Sequence, residues 1–114
     1  MSLDPRLERA AQAALGKKAE EVVVLDLRPV AAFTDYFLLA SGGNQKQIHA
    51  IADAVLETLR EQGLRPEHIE GYPRREWILI DYDDFVVHLF TTRTRSFYDL
   101  ERLWGGAARR EIAG

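Results

Sequence analysis

Cysteine is absent from these 114 residues. That excludes a disulfide framework, a thiolate nucleophile and a thiolate zinc site, and it fits a reducing compartment. No apolar run approaches the ~18 residues that a membrane-spanning helix needs. The opening MSLDPRLERA has no apolar core of a secretory signal. A cytoplasmic location without membrane contact is therefore the expectation. Internal repeats and low-complexity tracts are also missing. Positive charge is not in excess, since the net charge is −3. A protein that holds nucleic acid mainly through its phosphates needs the opposite sign, so little direct nucleic-acid binding is expected. A basic protein partner suits the balance better.

The usual catalytic constellations are missing as well. His49, His68 and His88 lie far apart, and none has a histidine four residues on, so there is no helical zinc motif. Ser41 stands outside any nucleophile-elbow pattern. Ser41-Gly42-Gly43-Asn44 lacks the lysine of a P-loop and the third glycine of a dinucleotide fingerprint, which leaves it as a strand-to-helix turn. Asp81 and Asp83 are two apart and would point the same way on a strand, as carboxylates holding a divalent ion do. With the glycine turn they define the alternative reading, a small metal-dependent nucleotidyltransferase. Against it, Asp83 and Asp84 sit where a hairpin must turn, and Asp is a common turn residue. No catalytic, cofactor-binding or metal-binding residue is assigned.

What is present is a globular composition, 46% hydrophobic and 29% charged. The length predicts one domain over residues 1–106, with a small, charged tail at 107–114 expected to fray. Asp4 and Pro5 announce a first helix whose stripe is Leu7, Ala10, Ala11, Ala14 and Leu15. Residues 22–27 (VVVLDL) and 36–40 (YFLLA) read as buried strands. Asn44 with Gln47 caps the longest helix, which buries Ile48, Ile51, Ala52, Val55, Leu56 and Leu59. Residues 64–75, with Pro66 and Pro73, read as irregular, with a short edge strand at 68–71. Ser96 and Asp99 form a capping box for a last helix, with residues 91–95 as its connector and Phe97, Leu100, Leu103 and Trp104 turned partly inward. The class is α/β (α+β): a mixed β-sheet of four to five strands with helices packed on it.

The organising stretch is residues 76–104, EWILIDYDDFVVHLFTTRTRSFYDLERLW. A two-residue loop at Asp83-Asp84 pairs Tyr82 with Phe85, Ile80 with Val87 and Ile78 with Leu89, giving one wholly apolar face. The opposite face pairs Asp81 with Val86, Leu79 with His88 and Trp77 with Phe90. An acid, an imidazole and two large aromatics on one face admit two readings. Either another molecule covers that face, or the final helix does and Trp77 and Phe90 are core.

These residues resemble a known family. Thr34-Asp35-Tyr36-Phe37, Ser41-Gly42, Gln47-Ile48 and Ala50-Ile51-Ala52 resemble the front half of the Iojap/YbeB family, the ribosomal silencing factors. Gly71, Glu76-Trp77, Leu79, Asp81, Val87-His88 and Phe90 resemble its hairpin. Arg95, Phe97-Tyr98, Leu100-Glu101 and Leu103-Trp104 resemble its closing motif. The resemblance runs from about Leu7 to Trp104, and the ordered combination of motifs makes it specific. There are two departures: Asp83 stands where the family often has glycine, and Gly43-Asn44 where it often has Asn-Ser.

The resemblance implies a nucleotidyltransferase-like topology without that chemistry. It implies a non-catalytic factor that binds the large ribosomal subunit through its fourteenth protein at the subunit interface. That would block association with the small subunit and repress translation under nutrient limitation. The resemblance and the mixed hairpin face together assign partner contact to Trp77, Phe90, Tyr98 and Trp104 for area, and to Asp81, His88, Arg95 and Glu101 for polar register. A homodimer through the same face when free is a further expectation.

Overall fold

The computed structural model describes residues 3–71 and 76–112. The expected irregular stretch around Pro73 and the end of the tail lie partly outside them. In chain order the elements are α1 (Pro5–Gly16), β1 (Glu20–Asp26), β2 (Tyr36–Gly42), α2 (Gln45–Glu61), β3 (His68–Glu70), β4 (Trp77–Asp81), β5 (Phe85–Thr91), α3 (Thr92–Tyr98), α4 (Leu100–Leu103) and β6 (Ala108–Glu111). The strands form one mixed sheet in the order β3-β4-β5-β2-β1-β6. Only the central pair, β2 with β5, is parallel.

Local chemistry sets the two long helices. The Asp4 carboxylate accepts the Arg6 amide at 2.9 Å and starts α1. Asn44 Oδ1 accepts the Gln47 amide at 2.9 Å and starts α2. Gln47 Oε1 returns the favour one residue earlier than a standard capping box, accepting the Gly43 amide at 2.7 Å. Its amide nitrogen donates to the Lys17 and Lys18 carbonyls, tying the end of α1 to the start of α2. Both helices bury their stripes against one face of the sheet. The main core there joins Leu7, Ala10, Ala11 and Ala14 of α1, and Ile48, Ile51, Ala52, Val55 and Leu59 of α2, to Ile78, Ile80, Tyr82, Phe85, Val87 and Leu89 of the hairpin. The apolar hairpin face is thus core, as its alternation predicts.

The β4–β5 register is the expected one, Trp77 opposite Phe90 through to Asp81 opposite Val86. At its tip Asp83 has φ 72°, the Asp84 amide donates to the Tyr82 carbonyl at 2.9 Å, and the Asp81 carboxylate takes the Asp83 amide at 2.8 Å. The Thr34-Asp35 segment holds that tip. The Thr34 hydroxyl donates to the Asp83 carbonyl at 2.9 Å, and the Asp35 amide donates to the Asp84 carbonyl at 3.0 Å. These bonds fix where β2 begins alongside β5, Tyr36 next to Phe85.

Three expectations need correction. The sheet has six strands, because residues 108–111 of the supposedly frayed tail pair with β1 and cap its open edge. The closing segment is two short helices. Thr91, not Ser96, is the first N-cap, its side chain accepting the Thr94 amide. Asp99, expected inside a capping box, instead breaks the helix in the left-handed conformation at φ 49°. The phase of the segment shifts with its start, so Phe97 and Leu103, expected to turn inward, are among the most exposed apolar residues.

Candidate functional site

The second face of the sheet carries a smaller apolar cluster: Val23, Leu25, Leu27, Phe37, Leu39, Val86 and Phe90, with Trp77, Leu79, Leu100 and Trp104 packed at its margin. α3 and α4 cross this face and leave part of it open. Aromatic rings run across it in sequence. Phe97 stands edge-on to Tyr98 at 5.1 Å between centroids, and Tyr98 lies 4.5 Å from Trp77. Trp77 stacks on Phe90 at 5.2 Å. His88 stands edge-on to Phe37 at 4.4 Å, and Phe37 reaches Trp104 at 6.1 Å and Phe33 at 6.0 Å. The middle of the row is buried and both ends reach solvent, with Phe97 79% and Phe33 60% exposed. Edge-to-face and offset ring pairs of this kind are each worth about 0.5–1.5 kcal/mol beyond the area they bury.

The eight residues assigned to partner contact separate into two groups. Phe90, His88 and Arg95 are at most 6% exposed, which corrects the expectation that they stand on the surface: in this structure they lie beneath it. Trp77, Asp81, Glu101 and Trp104 are half-buried and Tyr98 is exposed, so these five reach the surface. Phe90 is therefore core, as the second reading expects, and Trp77 is half-buried at the margin of that core.

His88 has the partner that a buried imidazole requires. The Trp77 indole N–H donates to its Nδ1 at 3.1 Å, which places the proton of the neutral ring on Nε2. Nε2 lies buried with no hydrogen-bond partner among the described residues. Burial pushes the imidazole down to about 3. The ring is thus a neutral spacer that fixes the Trp77 indole plane.

Arg95 is a hub. Its Nη1 donates to the Glu21 carbonyl at 2.6 Å and to Ser41 Oγ at 2.8 Å, and its Nε donates to Glu101 Oε1 at 3.0 Å. The other Glu101 oxygen takes Arg109 Nε at 3.2 Å, linking α4 to β6. Burial works against the charged form of Glu101, yet the bonds from Arg95 and Arg109 outweigh it and hold the carboxyl below its ordinary range. Ser41, with no nucleophile's surroundings in the sequence, is an anchor for this arginine.

At the β3–β4 edge the same face turns acidic. Glu70 pairs with Leu79 and His68 with Asp81, so their side chains share the side that carries Trp77. Glu76 accepts the Thr91 hydroxyl at 2.9 Å and Arg93 Nη2 at 2.8 Å, and the Thr91 bond above all holds its carboxyl low. An open groove of ≈ 730 Å³ runs between this edge and α3, lined by Glu70, Gly71, Glu76, Trp77, Leu79, Phe97 and Tyr98 among others. Gly71 forms its wall at φ 86°, where a Cβ would strike the Trp77 carbonyl.

Phe97 and Phe33 were missed as surface residues by sequence. Thr91 held the missing signal for Phe97: with the cap five residues earlier than Ser96, that ring stands on the outer side of its helix. Of the two carboxylates of the alternative metal site, Asp81 accepts the Asp83 amide in the hairpin tip, and the neighbouring Asp84 pairs with Arg6 at 3.1 Å. Among the described residues no group of three or more His, Cys, Asp or Glu is placed to hold a metal ion. Nor, among them, is any helix long and apolar enough to cross a membrane.

Comparison with known proteins adds an independent line. A family model described as ribosomal silencing factor during starvation, RsfS, matches residues 2–114. The chain is similar to the ribosomal silencing factor RsfS of Halalkalibacterium halodurans, 40% identical over 114 residues that span 100% of this chain and 97% of that one. It is similar to RsfS of Bacillus subtilis, 40% identical over 101 residues, 89% of this chain and 86% of that one. A crystal structure of a Chromobacterium violaceum protein superposes with a TM-score of 0.87 at 30% identity, covering 100% of this chain and 95% of the other.

Proposed function

The chain belongs to the RsfS family of ribosomal silencing factors, and from that premise we propose that it binds the large ribosomal subunit through the fourteenth protein of that subunit. Seated at the subunit interface, it sterically blocks association with the small subunit and represses translation under nutrient limitation. On this reading the protein is a wedge. It makes and breaks no bond, needs no cofactor and works in the cytoplasm.

The observation that carries the reading is the acid-rimmed aromatic groove. Phe97, Tyr98 and Trp77 offer a contiguous aromatic contact area. Glu70 and Glu76 line the groove with them, beside Arg93, which pairs with Glu76, and these carboxylates suit contact with a basic ribosomal protein. Steric exclusion asks for nothing beyond tight occupation of one patch.

The test uses purified subunits. Added in excess to large and small subunits at association-promoting magnesium, the protein should hold them apart in a sucrose gradient; normal assembly of whole particles under saturating protein removes the proposal. Phe97→Ala and Tyr98→Ala should each weaken co-sedimentation with large subunits by about tenfold or more, while the fold stays intact because both rings are exposed. Undiminished binding by both variants would move the contact surface elsewhere. Trp77→Ala is less clean, because it also strips His88 of its donor. Sedimentation of the free protein shows whether two copies pair through the same face.

A further inference from the structure

Residues 92–104 cross the second face of the sheet with a single fully buried side chain, and that side chain is charged. It is Arg95; Leu100 and Trp104 are only half-buried, and Phe97, Tyr98 and Leu103 face out. Helices normally hold to a sheet by an apolar stripe. This segment has only Leu100, Trp104 and the Tyr98–Trp77 ring contact at the margin of the apolar cluster, and its buried anchor is polar: Arg95 to the Glu21 carbonyl, to Ser41 and to Glu101, with Glu101 in turn clasped by Arg109. The second terminal nitrogen of Arg95 is buried and has no partner among the described residues. A buried guanidinium with an unsatisfied donor regains its hydration when released, which offsets much of what the bonds contribute. The segment is also broken at Asp99, in the left-handed conformation, and α4 that follows is one turn long with no side-chain cap. It ends on Gly105-Gly106.

We propose that residues 92–104 form a strap that unclasps from the sheet as a unit, with Arg95 and Glu101 as its clasp and Thr91 and Gly105-Gly106 as its hinges. Opening uncovers Phe90, His88 and Phe37, which the closed strap shields, and carries Phe97 and Tyr98 away from Trp77. The sheet keeps its main core on the opposite face and stays folded throughout. The strap then sets how much of the aromatic row a partner meets. That consequence rests on the ribosomal reading, whereas the strap itself does not.

Hydrogen exchange read by mass spectrometry on the full-length protein tests it. Peptides from residues 92–104 are expected to exchange at least about tenfold faster than those from β2 and β5. Glu101→Gln weakens the clasp with little change in shape, and Ser41→Ala removes a second anchor. Each should speed exchange of the strap several-fold further and leave the sheet peptides unchanged. If the strap exchanges in step with β5, or if either variant speeds sheet and strap alike, the segment is an integral part of the core and the proposal falls. It falls too if neither variant changes the strap's exchange. Co-sedimentation of the same samples with large subunits separates the two ideas: selective strap opening in a protein that does not bind keeps the strap and removes the ribosomal role.

Discussion

Gly71 concentrates a structural requirement in one atom. Its φ of 86° favours glycine, and a Cβ would collide with the Trp77 carbonyl. Gly71→Ala should destabilise the protein by on the order of 3 kcal/mol, read as a lowered urea midpoint, because neither the backbone conformation nor the neighbouring strand can yield. Tyr82 presents the opposite case. Its hydroxyl is buried in the main core without a hydrogen-bond partner among the described residues, and burial pushes the phenol up to about 12. Tyr82→Phe keeps the stacking on Phe85 and removes the unsatisfied group, so stability should hold or rise by up to about 1 kcal/mol in the same titration. The need for glycine at position 71 is invisible to local pattern, since it comes from β4 passing close by. Tyr82's place in the core was legible from the alternation of the hairpin alone.

At the scale of elements, β6 shows how a weak local signal becomes structure through a neighbour. Residues 108–111, all exposed, offer no apolar pattern, and the sequence predicts a frayed end. They are ordered because β1 has an open edge and because Arg109 finds Glu101 across the gap. Truncation after Ala107 should therefore lower stability by roughly 1–3 kcal/mol through lost strand pairing, with a lower thermal midpoint as the readout. Faster exchange in β1 should accompany it. The hairpin and, apart from the half-buried Leu56, the stripe of α2 were legible because their signals are local: period-two alternation around a two-residue turn, and an Asn cap ahead of a helical stripe. The closing helices were misphased because two capping signals compete there. Ser96 with Asp99 matches a motif, but Thr91 sits where β5 already ends and begins the helix first.

Across the whole molecule, stability should fall on acidification in two windows. Free imidazole titrates near ~6.5, whereas His88 is held down to about 3. Between those values the unfolded chain takes up a proton that the folded protein refuses. Stability is therefore full above the unfolded value and drops by on the order of 1.4 kcal/mol per pH unit below it. The depressed carboxyls act lower. Asp4 and Asp26 are held down chiefly by side-chain bonds from Arg6 and Arg28, Glu76 by Thr91, and Glu101 by Arg95 and Arg109 against its burial. Their contribution is present above the ordinary carboxyl range of ~4 and is lost as pH falls through their lower folded values. His88→Asn keeps an acceptor for the Trp77 indole without a titrating ring. Urea midpoints followed from pH 7 downward should lose the upper window in that variant and keep the lower one. An unchanged upper window would show that the proton goes elsewhere.

The sequence by itself determined the class of fold, the hairpin register, the two long helices with their buried stripes, and, through its ordered motifs, the family. These depend on alternation, caps and composition, which are properties of neighbouring residues. Only the tertiary structure decided which of the eight candidate residues reach solvent. Phe90, His88 and Arg95 lie beneath and Tyr98 above, because what covers the second face of the sheet is a segment whose helical phase depends on where β5 stops. Burial on that face is a property of two elements meeting, and neither one encodes it alone.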